Sequence, residues 1–225
     1  MLHRWDDLAF VHWPYPSDAV QRLLPPELEV DAFDGTAWIG LVPFHLTIGL
    51  PKVPPVPWVS RFAEMNVRTY VRGPDGRRAI WFLSLDAARL GAVLVARGTY
   101  GLPYFWSSMR MARAGAVASY QCRRRWPGPC RAATSLALQI GLPIGADADD
   151  LTRFLTSRWC FYSSFRGRVS QTFAAHEPWP LHRARILHVD DGLIAALGLE
   201  APTGEPLAHW SPSVDVVIGP REPVQ

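Results

Sequence analysis

A chain of 225 residues with 48% hydrophobic and 19% charged side chains has the makeup of a globular protein with a substantial core, not of a disordered tail. The net charge of +3 and pI near 9.0 come from scattered basic residues, with one tight group at Arg123, Arg124 and Arg125, so no nucleic-acid partner is expected. No apolar run approaches the ~18 residues of a membrane span and no basic leader precedes one, so no membrane partner is expected and a soluble cytoplasmic protein is.

Taken in order, Leu8 to Trp13 reads as a first strand closed by Pro14 and Pro16, with Ser17 as N-cap of a helix over Asp18 to Leu24 that Pro25 and Pro26 stop. Asp34-Gly35 marks a turn, and Thr36 to Ile48 a long strand in which Pro43 signals an edge or bulge. The stretch Gly49 to Pro57 holds four prolines and reads as a rigid loop. Phe62 to Val71 is a strand, and Gly73-Pro74-Asp75-Gly76 turns it back into Arg78 to Leu85 as a hairpin. Asp86 is placed to cap a helix over Ala87 to Arg97 that Gly98 and Gly101 end. Strands follow at Tyr104 to Arg113, Ala116 to Arg125 and Cys130 to Ile140, and a helix at Asp147 to Ser157 begins with three aspartates that suit the positive end of its dipole. Strands near Cys160 to Phe165 and Val169 to Ala175, a short helix at Leu193 to Leu197 and a strand at Val214 to Ile218 complete the chain. Helices fall between groups of strands and not after each, which predicts one α+β domain over residues 1–225 with a largely antiparallel, closed sheet.

The strand over Phe62 to Val71 carries the chemistry. Period-two alternation puts Glu64, Asn66, Arg68 and Tyr70 on one face and Ala63, Met65, Val67, Thr69 and Val71 on the other. The polar face is either a wetted exterior or the lining of a cavity, where Arg68 could hold a carboxylate and Glu64 move a proton. Trp106 and Trp179 are candidate walls for such a pocket. Nucleotide, zinc-protease and hydrolase motifs are missing, and His176-Glu177-Pro178-Trp179-Pro180-Leu181-His182 is broken by two prolines, so neither a metal nor a cofactor is expected. Cys122, Cys130 and Cys160 form no Cys-x-x-Cys pair and read as reduced thiols.

Phe10-Val11-His12-Trp13, Leu24-Pro25-Pro26-Glu27-Leu28, the Ala63 to Val71 segment, Leu83 to Ala87, Leu102-Pro103-Tyr104 and His176 to Leu181 together resemble the uncharacterised YqjF-like bacterial proteins over nearly the whole chain. That family is in turn similar to acetoacetate decarboxylase, which implies a mainly antiparallel, cone-shaped β-barrel with a few outer helices and a cavity within. The decarboxylase's proline followed by two lysines matches Pro103-Tyr104-Phe105, so both lysines are missing. Lys52 is the only lysine among 23 basic residues and lies in the proline-rich stretch, so imine chemistry is not expected. The resemblance implies a pocket for an anionic or carbonyl-bearing small molecule, with Glu64 and Tyr104 as candidate catalytic residues and Arg68, Asn66, Tyr70, Trp106 and Trp179 as candidate binding residues. Lyase- or isomerase-type acid–base chemistry, a non-catalytic small-ligand binder and a structural role stay open, as does a homo-oligomer.

Overall fold

Strand follows strand because β-branched and aromatic residues alternate with small or polar ones over most of the chain, and among the described residues three short α-helices interrupt them. The computed structural model describes residues 1–49, 60–128, 132–145, 148–202 and 204–224; Lys52, Cys130 and Asp147 lie outside the described residues. The elements in order are β1 (Leu2–Tyr15), α1 (Ser17–Gln21), β2 (Glu29–Val30), β3 (Ala37–Gly49), β4 (Arg61–Arg72), β5 (Arg78–Ala87), α2 (Leu90–Tyr100), β6 (Tyr104–Ala114), β7 (Val117–Trp126), β8 (Ala133–Pro143), α3 (Asp150–Thr156), β9 (Cys160–Phe165), β10 (Arg168–His176), β11 (His182–Asp191) and β12 (Leu207–Pro223).

The strands form one sheet that closes on itself twice. One circuit runs β5-β6-β7-β8-β11-β12-β1-β3-β4 and back to β5; the other runs β9-β10-β12-β1-β3-β4-β5 and back to β9. Strands β12, β1, β3, β4 and β5 belong to both and form a common wall. All pairings are antiparallel except β5 with β6 and β5 with β9.

Alternation sorts the wall into two faces. Ala9, Val11, Ile39, Leu41, Met65 and Val67 turn toward the first circuit, where Tyr120, Leu136, Leu138 and Trp210 fill the space as a dry core. Leu8, Phe10, Val42, Phe44, Glu64, Asn66 and Arg68 turn toward the second, which holds a cavity. The fold is thus a filled ring fused to a hollow one.

Several local expectations are corrected. Ser17 does not cap α1: Pro16 holds the cap position, and the Ser17 hydroxyl donates to the Gly35 carbonyl at 3.0 Å. Asp86 is a buried residue of β5 whose carboxylate takes two hydrogen bonds from Arg124, at 3.0 and 2.8 Å, and one from Ser107 at 2.6 Å. Helix α2 therefore starts at Leu90 without a side-chain cap and runs through Gly98, ending at Gly101 in the left-handed conformation (φ 65°). Arg124 points inward, so the arginine triplet is not a surface patch. In α3, Asp149 is the cap, its carboxylate accepting from the Thr152 N–H at 2.7 Å. Strand β11 is absent from the sequence reading because its apolar face is only half-buried and its outer face is charged. Strand β12 runs far beyond Val214 to Ile218, since Gly219 and Pro220 fall at a shift in the β10–β12 register where no ladder N–H is needed. Among the described residues no helix is long and apolar enough to cross a membrane.

Candidate functional site

The hollow ring encloses about 660 Å³, within the range of small-molecule sites. Its walls come from the cavity-facing rows of β1, β3, β4 and β5, with α2 along one side and His176 and Trp179 closing another. Most of the lining is apolar; among its polar groups, which also include His3, Ser60, Arg89, Thr99 and His176, two places stand out for their burial and charge.

The first place is Glu64, which is 3% exposed. Its position opposite Phe44 on β3 and Ala87 on β5 surrounds it with hydrocarbon, and burial pushes its carboxyl up to about 8. The Tyr104 hydroxyl donates to Glu64 Oε2 at 3.0 Å and offsets part of that rise, while the buried Asp86 carboxylate adds to it. Burial, with Glu64 beside it, pushes the Tyr104 phenol well above its ordinary range. At neutral pH burial favours the protonated carboxyl beside a neutral phenol that donates to it. Tyr104 reaches this spot because β6 pairs with β5 only through Leu85–Ala87 and Tyr104–Trp106.

The second place is a pair of guanidiniums around Tyr70. Arg68 is 5% exposed; it donates to the Leu155 carbonyl at 3.3 Å and to the Tyr70 hydroxyl at 3.5 Å, and its Nε has no partner. No carboxylate among the described residues pairs with it. The Leu155 carbonyl lies in the last turn of α3, where the helix dipole favours a cation. The Tyr70 hydroxyl donates to Leu155 O at 2.6 Å and accepts from His12 Nε2 at 2.6 Å, and burial, with Arg68 nearby, holds the His12 imidazole well below its ordinary range. Arg158 is the second guanidinium: it lines the cavity, donates to Asp31 at 2.9 Å and leaves its Nε unpartnered. Burial pushes it down to about 10. Asp31 is fully buried and is also gripped by Arg72 at 3.0 Å and Arg78 at 2.7 Å. The two guanidinium carbons stand 5.8 and 5.2 Å from the Tyr70 ring centroid, so positive charge concentrates at this end.

Of the residues singled out from sequence, Glu64, Asn66, Arg68, Tyr104 and Trp179 line the one cavity. The Asn66 carbonyl oxygen is buried there without a partner. Trp179 stacks on Trp5 at 6.0 Å, meets Phe10 edge-on at 5.1 Å and donates its indole N–H to the Thr156 carbonyl. Tyr70 and Trp106 are not among the lining residues. Tyr70 is covered by Trp38, Phe154 and Leu155 and acts behind Arg68, while Trp106 lies where β6 leaves β5 and takes Arg125 over its ring at 5.3 Å. Sequence reasoning missed Arg158 and Asp31, because Asp31 finds its arginines 41, 47 and 127 residues away and no spacing marks them. Among the described residues no cluster of three or more His, Cys, Asp or Glu could hold a metal ion.

Comparison with known proteins fits this geometry. The chain is 34% identical over 222 residues to the uncharacterized protein YqjF of Bacillus subtilis (strain 168), covering 98% of this chain and 90% of that one. Among solved structures it is similar to an acetoacetate decarboxylase-like enzyme from Sphingomonas wittichii RW1 (TM-score 0.69, 16% identity, 100% and 92% of the two chains). It is also similar to the enduracididine biosynthesis enzyme MppR complexed with the condensation product of pyruvate and imidazole 4-carboxaldehyde (TM-score 0.69, 15% identity, 99% and 88%). The fold is acetoacetate decarboxylase-like. Residues 3–215 match DUF2071, a family of uncharacterized conserved proteins, and the chain belongs to that family.

Proposed function

We propose that the cavity binds a small carboxylic or oxo compound, holding its anionic group at Arg68 and its reacting carbon against Glu64 and Tyr104. The chemistry is acid–base, of lyase or isomerase type, and uses no imine. The observation that carries this reading is Arg68. A buried guanidinium without a carboxylate is costly by several kcal/mol, and an anionic guest supplies the missing charge and the partner for Nε. That MppR, on the same fold, is complexed with a product of pyruvate is in keeping with an oxo-acid guest.

Glu64 suits proton transfer because it keeps its proton at neutrality yet loses it near pH 8, so either state is within reach. As the carboxylate it takes the α-proton of the guest, leaving an enolate; the neutral acid so formed then returns that proton to the enolate oxygen, to the same carbon or to a neighbouring one, which restores the carboxylate. Tyr104 steadies Oε2 throughout. Asn66 offers its unpartnered carbonyl oxygen to a hydroxyl or N–H on the guest.

The test is turnover of oxo acids followed by product analysis, with Glu64→Gln and borohydride trapping beside it. Expected are product formation that falls at least about 100-fold in Glu64→Gln, and no covalent adduct on reduction. Ile48 and Ser60, which bracket the segment holding Lys52, both line the cavity, so an adduct at Lys52 would overturn the imine-free mechanism. Binding without any turnover by the wild type would make the protein a small-ligand binder.

A further inference from the structure

The two polar places lie four residues apart along β4, in a cavity whose lining is mostly apolar. Residues four apart on one strand are separated by about 13 Å, and Arg68 leans still farther from Glu64, toward Tyr70 and Leu155. Allowing a hydrogen bond of about 3 Å at each end leaves about 7 Å between the guest's own polar ends. A pyruvate-sized acid is far shorter than that. Volume agrees: at roughly 30 Å³ for each water-sized group, a cavity of about 660 Å³ accommodates on the order of twenty such groups, whereas such an acid has about six heavy atoms. The apolar lining includes Phe10, Phe44, Phe62, Phe82, Phe161 and Trp179. Helix α2 extends this surface outward: Ala92, Val95 and Ala96 line the cavity while Leu94 and Val95 are 53% and 64% exposed.

We infer that the ligand is an elongated amphiphilic monocarboxylate, of medium alkyl or arylalkyl length, with its head between Arg68 and Arg158 and its apolar body running past Glu64 toward α2. The inference rests on the proposed anion anchor at Arg68 and adds the class of molecule. Arg158 has a part in it: fixed by Asp31, it presents its free Nε to the same head. The charge at this end fits one carboxylate, because of its two guanidiniums Arg158 already shares Asp31, while Arg68 has no acidic partner among the described residues.

The probes are pyruvate, butyrate, decanoate, 4-oxodecanoate and decanol, titrated into the full chain by isothermal calorimetry. Decanoate and 4-oxodecanoate should bind at least about 100-fold more tightly than butyrate, given the methylenes added to an apolar space. Decanoate should also bind at least tenfold more tightly than decanol. Arg68→Gln should bring decanoate down to the level of decanol, and Ala96→Trp, on a half-exposed helix face, should weaken the ten-carbon acids while leaving butyrate unchanged. Pyruvate or butyrate binding as tightly as decanoate, with the Arg68 dependence kept, would overturn the elongated ligand and spare the anion anchor. Decanol matching decanoate in the wild type would overturn the anchor itself, and no binding by any probe would overturn both.

Discussion

At the scale of single residues, Glu64 and Arg68 show how one strand face is made reactive by what surrounds it. Burial raises the Glu64 carboxyl from 4.5 to about 8, so the native chain holds a proton there that the unfolded chain gives up between those values. The stability this group contributes is fully present below pH 4.5 and is lost as pH rises toward 8, at a slope of at most about 1.4 kcal/mol per pH unit. Because His12 and the other imidazoles lowered by burial act in the opposite direction below about pH 6.5, the readout is the stability of wild type minus that of Glu64→Gln, from urea denaturation at pH 5, 6, 7 and 8, and it should decline as pH rises. A difference that stays flat or rises across this window would contradict a neutral buried Glu64. Alternation alone was enough to put Glu64, Asn66 and Arg68 together. It failed for Tyr70, of the same parity, because the far end of β4 passes under α3, where Phe154 and Leu155 take the place of the cavity. It failed for Trp106 because β6 parts from β5 there and its register with β7 shifts beside it. Arg158 and Asp31 left no trace, since their pairing joins residues 127 positions apart.

At the scale of elements, the passage from α2 to β6 sets Tyr104 against Glu64. Gly101 ends α2 with φ 65°, and a Cβ there would run into the Ser164 carbonyl oxygen and meet Phe165 Cβ at 2.9 Å. Gly101→Ala is therefore both strained and crowded, and should destabilise the protein by about 2 kcal/mol or more, read as a lowered melting temperature. Ligand affinity should fall with it, because Tyr104 follows three residues later. The sequence made Gly101 legible as a stop but misread Asp86 as the start. An aspartate ahead of an apolar run looks like a cap until its true partner, Arg124, is found on another strand. Boundaries that depend on local turn chemistry, such as the β4–β5 hairpin through Gly73 and Gly76, were readable; those set by distant pairing were not.

At the scale of the whole molecule, a run of strands with few helices was enough to predict a closed, mainly antiparallel sheet. Two fused rings were beyond reach, because both closures depend on β5 taking parallel neighbours, β6 and β9, that no hairpin announces. The common wall has a consequence for how the chain can vary. At four points along β1, β3 and β4 a residue that props up the solid half is followed by one that lines the cavity: Ala9 then Phe10, Leu41 then Val42, Met65 then Asn66, Val67 then Arg68. A saturation library scored for abundance and for ligand binding should beat with a two-residue rhythm, bulky or polar replacements at 9, 41, 65 and 67 depleting the protein and those at 10, 42, 66 and 68 sparing it while changing which guest is accepted. Selection could then retune the occupant one side chain at a time without disturbing the scaffold.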